Sequence, residues 1–278
     1  MNIQPGNKAN TGSKLAFLKL GGSLITEKAS PNLARQELIE GIAEEISGVI
    51  EGHPDLRIML GHGSGSFGHI PAHRYGTRNG VRSREEWLGF VEVWRAAGGL
   101  HRIVMDGLNK AGIRAVSFPP SGMVTACDGR IACWDLTPVK SALKAGLLPV
   151  VYGDVVFDNV RGGTILSTED LFTHLALHIR PGRILLAGIE SGVWGDYPAN
   201  TRLLEIITPS IYAETFSKIL GSNSTDVTGG MSSKVKQNLD LVKKIQDLQV
   251  LIFSGLERGS ISNALVGGMP GTVIRADA

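Results

Sequence analysis

Residues 61–69, with the sequence Gly-His-Gly-Ser-Gly-Ser-Phe-Gly-His, have the composition of an anion-binding loop. Four glycines in nine residues let the backbone curve tightly and direct N–H groups at one point, because no Cβ atoms stand in the way. The segment ends at His69, whose imidazole can donate a hydrogen bond or a positive charge to the same anion. This combination favours a bound phosphate, although a Gly/Ser-rich segment after a strand can equally be a simple turn.

Two further glycine segments carry lysines. Near the N-terminus, Lys19 lies in an apolar run that leads into Gly-Gly-Ser at residues 21–23, and a second lysine, Lys28, follows. Near the C-terminus, two glycines at residues 229–230 open a helical pattern in which Lys234 lies one turn in. A phosphate at that helix start would gain both the lysine charge and the helix N-terminus. Lysines at both segments favour phosphate chemistry over a purely structural role.

Phosphoryl transfer suits these residues, because it depends mainly on positioning and on positive charge around the transferred group. The chain has no Gly-x4-Gly-Lys-Ser/Thr sequence, so a P-loop is excluded. The Gly-x-Gly-x-x-Gly spacing at residues 63–68 matches a dinucleotide-binding turn poorly. That turn needs an acidic residue at a strand end about 20 positions later, and Glu85 and Glu86 fall in a helical pattern instead.

Strand-like runs alternate with amphipathic helical patterns along the chain. This alternation predicts an α/β fold, a three-layer αβα sandwich with a mostly parallel central sheet. The predicted buried strands are residues 15–20, 57–60, 115–118, 148–151, 183–187 and 250–253. Two predicted helical faces are Leu38, Ile42, Ile46 and Val49, and Trp87, Phe90, Val91 and Trp94. Residues 155–157 and 164–166 flank a predicted β-hairpin turn.

The order of these motifs resembles the amino acid kinase superfamily. The matching segments are Lys-Leu-Gly-Gly-Ser at residues 19–23, the glycine-rich segment after the second strand, and Asp-Val-Thr-Gly-Gly-Met at residues 226–231 with the lysine that follows. Within the superfamily, Gly-Ser-Phe-Gly-His at residues 65–69 is similar to the isopentenyl phosphate kinases, whose phosphate segment carries a histidine. Val-Val-Tyr-Gly-Asp-Val-Val at residues 150–156 is similar to them too. The resemblance covers residues from about 15 to 274.

The resemblance implies phosphorylation of isopentenyl phosphate to isopentenyl diphosphate for isoprenoid biosynthesis, with ATP and Mg²⁺ as cofactors and a homodimer as the assembly. It also implies a phosphate-acceptor part at residues 15–180 and a nucleotide part at residues 181–278, with one sheet through both. The implied catalytic residues are His69, Lys28 and Lys19. The implied ATP-binding residues are Lys19, Gly21, Gly22, Ser23, Gly65, Trp194, Gly230 and Lys234. The implied acceptor-binding residues are Ser64, Gly68, His69 and Thr168, and no side chain is implied as a metal ligand.

These residues would divide the work of the reaction. Lys19 would contact the β- or γ-phosphate, residues 21–23 would donate N–H groups to it, and Lys28 would stabilise the transition state unless it is an ordinary surface charge. An acceptor that is already a monophosphate needs no general base, since its second pKa is ~6. His69 would then hold the acceptor phosphate beside ATP, unless it only satisfies a backbone carbonyl.

Two segments depart from the family pattern. Residues 189–194 read Ile-Glu-Ser-Gly-Val-Trp where the family has Asp-x-Asp-Gly-Val-Tyr, so both aspartates are missing. Residues 167–169 read Ser-Thr-Glu where the family has Ser-Gly-Asp. Glu169 is expected to replace the aspartate that orients lysines around the phosphates, and Trp194 to stack near the adenine. These changes put nucleotide preference and reaction rate in doubt more than the fold.

Composition narrows the function classes and the location. With Lys+Arg 28 against Asp+Glu 26, the chain lacks the basic excess of a nucleic-acid or membrane-surface binder. Cys127 and Cys133 are too few for a disulfide scaffold and are expected to be small, semi-buried residues, which fits a cytoplasmic protein. Residues 1–14 are polar and lack an apolar core, so they are expected to form a flexible tail rather than a signal peptide.

Three interpretations remain open from the sequence. The first is a kinase of isopentenyl phosphate. The second is a kinase of the same fold acting on a phosphonate such as fosfomycin, a nucleoside monophosphate or a carboxylate. The third is a nucleotide-binding protein without catalysis. His69 favours the first over carboxylate kinases, and the retained lysines argue against the third. The apolar face at residues 87–94 is either core or a slot for the acceptor tail.

Overall fold

The computed structural model describes residues 14–27, 30, 32–220 and 229–277. In chain order its strands are β1 Leu15–Leu20, β2 Arg57–His62, β3 Ala115–Ser117, β4 Val124–Cys127, β5 Arg130–Trp134, β6 Leu148–Tyr152, β7 Asp154–Asp158, β8 Gly162–Leu166, β9 Arg183–Gly188, β10 Val193–Trp194, β11 Leu203–Leu204, β12 Ile206–Ile207, β13 Gln249–Ser254 and β14 Gly271–Ile274. Its α-helices are α1 Gly22–Ile25, α2 Gln36–Gly52, α3 Gly65–Tyr75, α4 Arg84–Lys110, α5 Pro120–Met123, α6 Thr137–Lys144, α7 Thr168–Ile179, α8 Pro209–Leu220, α9 Gly229–Lys244 and α10 Ser260–Leu265.

The main sheet has eight strands in the order β12-β14-β13-β9-β1-β2-β6-β3. The inner neighbours from β13 to β3 pair in parallel, and β14 runs antiparallel to β13. The chain passes from β1 to β2 on one side and later to β9 on the other, so β1 lies where the strand order reverses. In open α/β sheets, ligands bind outside the carboxyl ends of the strands at such a point.

The alternation of side chains along β1 and β2 decides which helix layer each residue meets. Leu18 and Leu60 pack with α2, α4 and α10, whereas Phe17 packs with α7 and α9. The next residues follow the same alternation: Lys19 faces α7, and His62 faces α4. Burying a large apolar side chain in either layer contributes about 1.5–3 kcal/mol. The predicted three-layer αβα sandwich is confirmed.

Two predicted apolar segments are more exposed than expected. β3 is the edge strand of the sheet, and Val116 is exposed, so the prediction of a buried strand there is wrong. On α4, Phe90 is buried, but Val91 and Trp94 are 47% and 48% exposed, so the predicted single face is also wrong. The buried stripe on this helix instead runs through Phe90, Val93, Ala97, Leu100 and Val104.

A second, four-stranded sheet has the order β5-β4-β7-β8 and contains the predicted hairpin, in which β7 and β8 pair antiparallel. The buried carboxylate of Asp158 accepts hydrogen bonds from backbone N–H groups of both hairpin turns, at Gly129 and Arg161 among others. Cys127 and Cys133 were expected to be semi-buried, but both are exposed. Cys133 lies on the outer strand β5, and Cys127 is the last residue of β4.

Several segments of the chain lie outside the described residues. Apart from Lys14, the predicted N-terminal tail lies outside the described residues. Lys28 and residues 226–228 lie outside them as well. Across the described ranges, no helix is both long and apolar enough to cross a membrane.

Candidate functional site

Two glycine segments meet backbone to backbone at the carboxyl ends of β1 and β2. Leu20 and His62 are register partners, so the chain leaves both strands side by side. A Cβ atom on Gly22 would lie 2.5 Å from the backbone nitrogen of Gly65, which itself has a φ of +49°. Larger residues at either position would separate the two segments. The glycines therefore allow the two backbones to approach closely at this point.

The second segment is mostly helix rather than loop. α3 begins at Gly65, so residues 65–69, predicted as loop, form its first turns, and only residues 63–64 link it to β2. Helix α1 likewise begins at Gly22. The first N–H groups of a helix have no partner within it and can bind an anion. Each of these two glycine segments, predicted as a loop, therefore contains a helix N-terminus.

Backbone donors at this point are fewer than predicted. The Gly21 N–H donates to the carbonyl oxygen of Ala187 at 2.8 Å, so its predicted role as a phosphate donor is wrong. This bond extends the parallel pairing of β1 with β9 by one residue. The Gly68 N–H is also used, donating to the Ser64 carbonyl at 3.2 Å. Gly22 and Ser23, in the first turn of α1, retain the predicted role of donors.

Lys19 and Glu169 form an ion pair beside the two glycine segments. Lys19 is 7% exposed at the end of β1. Glu169 lies in the first turn of α7, whose start is fixed by a capping box between Ser167 and Asp170. Burial raises the pKa of the Glu169 carboxyl, but the charges of Lys19 and Lys234 outweigh it and leave the pKa below its usual value. Glu169 is therefore ionised at neutral pH and holds the lysine in place.

Lys234 joins this pair from the opposite half of the sheet. α9 begins at Gly229, as predicted, and Lys234 lies one turn further along it. Burial, with the charge of Lys19, lowers the pKa of Lys234, and Glu169 partly restores it. Two cations around one carboxylate leave an excess of positive charge at the helix N-termini. A polyphosphate would compensate that charge.

His69 lies on α3 and faces the same charges, although it is exposed to solvent. Burial of part of the ring and the charge of Lys19 lower its pKa, against an opposing effect of Glu169. The imidazole is therefore neutral at pH 7 and can donate one N–H to a ligand. The structure brings together the predicted residues His69, Lys19, Lys234 and Glu169 around the glycine segments.

Other predicted site residues lie on α7, β10 and α9. Thr168 is buried, and its hydroxyl donates to the backbone carbonyl of His62 at 2.6 Å, so that hydroxyl is already engaged. Trp194 lies on β10, partly exposed, with its Nε1 3.4 Å from the Glu190 carboxylate. Gly230 lies in the first turn of α9. Lys28 cannot be placed, because it lies outside the described residues.

Sequence reasoning gave no role to a buried polar cluster beneath the second glycine segment. His62 and His101 contact each other through ring nitrogens 3.0 Å apart, and Tyr152 stacks against both rings. The available signal was the alternation along β2, which places His62 on the same face of the sheet as the apolar residues Ile58 and Leu60. His101 could then have been noticed as a polar residue on the buried stripe of α4.

Comparison with known proteins shows the family of this chain. Residues 14–254 match the model of the Amino acid kinase family. The chain is a member of the amino acid kinase family. Among its relatives in that family, isopentenyl phosphate kinase from Methanocaldococcus jannaschii is 34% identical, over 94% of this chain and 98% of the relative. Isopentenyl phosphate kinase from Methanothermobacter thermautotrophicus is also 34% identical, over 91% of this chain and 96% of the relative.

Solved structures of this amino acid kinase branch share the fold. An X-ray structure of isopentenyl phosphate kinase superposes with a TM-score of 0.79 at 32% identity, covering 94% of this chain and 99% of that one. The product complex of isopentenyl phosphate kinase from T. acidophilum superposes with a TM-score of 0.74 at 27% identity, covering 94% and 100%. The predicted resemblance is therefore confirmed, and the chain is a phosphotransferase of the amino acid kinase family.

Proposed function

We propose that this chain transfers the γ-phosphoryl group of ATP to isopentenyl phosphate, giving isopentenyl diphosphate and ADP. The observation that carries this proposal is the cluster of Lys19, Glu169 and Lys234 beside paired helix N-termini, with His69 on the same side. That cluster suits two phosphate groups, one on each substrate. The full-length relatives act on isopentenyl phosphate by name and support this acceptor.

The reaction needs positioning more than proton transfer. An acceptor phosphate oxygen attacks the γ-phosphorus, and the bond from that phosphorus to the oxygen bridging to the β-phosphate breaks, so that ADP leaves with that electron pair. No proton has to be removed, because the attacking oxygen is already ionised near neutral pH. Lys19 and Lys234 would stabilise the charge that spreads over the transferred group. The neutral His69 would donate a hydrogen bond to the acceptor phosphate.

We assign the nucleotide to the C-terminal part, residues 181–278, and the acceptor to residues 15–180. Lys234 and Gly230 on α9 would hold the ATP phosphates, and Trp194 would lie near the adenine. Mg²⁺ would enter with ATP, since proteins often bind this ion through substrate phosphates. The Glu169 carboxylate is already paired with Lys19 and is better placed to orient that lysine than to bind metal.

An apolar cluster beyond α3 suits the acceptor tail. Phe90 on α4 packs against Val81, Val93 and Val155, with Ala72 of α3 at the edge of the cluster. Ala72 lies one helical turn after His69, so a phosphate bound at His69 could direct its tail at these residues. Phe90, with neighbouring aromatic rings 5.2 and 5.3 Å away, would then close the slot.

The homodimer and the cytoplasmic location are also proposals. Leu88, Val91 and Trp94 are exposed at three-residue spacing along α4 and would form a contact surface with a second copy. Val91→Glu would then convert a dimer to a monomer in light scattering after gel filtration. The free, exposed Cys127 and Cys133 suit a reducing compartment.

A coupled assay of ADP release tests the function. The acceptors would be isopentenyl phosphate, dimethylallyl phosphate, geranyl phosphate, fosfomycin and UMP, each at the same ATP concentration. We expect the highest kcat/KM with isopentenyl phosphate. A higher value with fosfomycin or UMP would assign the site to another acceptor, and no ADP release with any of them would indicate a binding protein.

A further inference from the structure

A buried chain of hydrogen bonds ends at the backbone of the second glycine segment. His62 Nδ1 lies 3.1 Å from the carbonyl oxygen of Gly63, and His62 Nε2 lies 3.0 Å from Nδ1 of His101. His101 Nε2 lies 2.6 Å from the hydroxyl oxygen of Ser117 on β3. His62 is fully buried and His101 is 8% exposed. None of these side chains has a role in the proposed reaction.

The direction of every hydrogen bond in this buried network follows from the Gly63 carbonyl at its end. The Gly63 carbonyl can only accept, so His62 must carry its proton on Nδ1. A neutral His62 then accepts at Nε2, which requires a proton on Nδ1 of His101. Nε2 of His101 is in turn an acceptor, and the Ser117 hydroxyl donates to it. One arrangement of protons satisfies all three contacts.

The rings are held neutral, as this arrangement requires. Burial lowers the pKa of His62 to about 4, against an opposing effect of its bond to Gly63. Burial, together with the proximity of His62 and Arg102, lowers the pKa of His101 to about 3. Tyr152 covers both rings, with centroids 4.1 Å from His101 and 5.5 Å from His62. The proton pattern is therefore fixed across the neutral pH range.

This chain of hydrogen bonds sets the orientation of the peptide group between Gly63 and Ser64. In a trans peptide the C=O and the following N–H point in opposite directions. Fixing the Gly63 carbonyl against the buried His62 ring therefore directs the Ser64 N–H away from the core. Within the part of the chain that the structure describes, that N–H has no acceptor. Ser64 is also the residue before α3, the helix that carries His69.

We infer that His101, acting through His62, is a positioning residue that directs the Ser64 N–H at the acceptor phosphate. The inference rests on the proposed function for its substrate, but the proton pattern can be tested without it. The backbone carbonyl of His62 also accepts from Thr168 at 2.6 Å, next to Glu169. His62 thus links the acceptor segment to the start of the helix that orients Lys19.

The kinetic test compares variants of one helix. His101→Leu removes the donor to His62, whereas His101→Asn keeps an N–H near the position of Nδ1. We expect His101→Leu to raise KM for isopentenyl phosphate about 10- to 100-fold with KM for ATP unchanged, since misplacement on the ångström scale has costs of this size. His101→Asn should recover most of the loss. Leu100→Ala, a buried neighbour without polar contacts, should lower thermal stability and leave KM unchanged.

Two results would overturn the inference. One is equal loss in His101→Asn and His101→Leu, and the other is a similar rise in KM in Leu100→Ala.

Nitrogen-15 NMR of the imidazoles gives a readout independent of activity. It should show His62 and His101 neutral, each protonated on Nδ1, between pH 6 and 8. Protonation of either ring on Nε2 would contradict the inference even if the enzyme is active. If wild type releases no ADP with isopentenyl phosphate, the proposed function fails and the NMR result still decides the proton pattern.

Discussion

Glu169 at the start of α7 pairs with Lys19 at the end of β1, across 150 positions of sequence. Glutamate is one methylene longer than the aspartate of the family pattern, yet it reaches the lysine directly. Its neighbour Thr168, where the family has glycine, donates to the His62 carbonyl and so ties α7 to the second glycine segment. The departure at residues 167–169 therefore leaves a carboxylate in contact with the lysine.

Replacing Glu169 by Gln should change the pH profile as well as the rate. The carboxylate raises the pKa of Lys234, so its loss should lower that pKa further. Lys234 must be protonated to act, and the alkaline limb of kcat/KM for ATP should therefore move to lower pH. Rates across pH 6–10 measure this. Glu51→Gln, an exposed change at the far end of α2, is the control, and an unmoved limb in Glu169→Gln would contradict the assignment.

Two lysines two positions apart on α9 form a matched pair. Lys234 is partly buried and faces Lys19 and Glu169, whereas Lys236 is exposed. Lys234→Ala should raise KM for Mg-ATP by about 10-fold or more, because a charged contact to phosphate is lost. Lys236→Ala should leave it unchanged. Equal effects in the two variants would mean that the overall charge, rather than this position, determines ATP binding.

Variants at Phe90 and Trp94 on α4 test whether the apolar cluster is a slot for the acceptor tail. Phe90→Ala should open space within the apolar cluster and so raise kcat/KM for geranyl phosphate relative to isopentenyl phosphate. The cavity should cost about 3–5 kcal/mol of stability. Trp94→Ala, at an exposed position, should leave the substrate ratio unchanged. Thermal unfolding and the substrate ratio are measured on both. Loss of stability in Phe90→Ala with an unchanged ratio would assign Phe90 to the core alone.

The layers of the fold and the site lysines could be predicted from sequence because they follow local patterns. Apolar runs and helical spacing indicate the strands and helices, and glycines next to lysines indicate the phosphate site. The exposure of Trp94 and the hydrogen bond from the Gly21 N–H to Ala187 could not be predicted from the sequence. Both depend on which element packs beside these residues. The partnership of His62 with His101 depends on strand order, which the sequence pattern leaves open.

The most direct test identifies the bond that forms. Phosphorus-31 NMR would follow isopentenyl phosphate and Mg-ATP with wild type and with His69→Ala. With wild type, we expect the monophosphate signal to be replaced by two coupled diphosphate signals as ADP accumulates. His69→Ala should slow this conversion about 100-fold, the usual loss for a positioned donor, with KM for ATP nearly unchanged. A monophosphate signal that persists when folded wild type is incubated with Mg-ATP would contradict the account. So would turnover at the wild-type rate in His69→Ala.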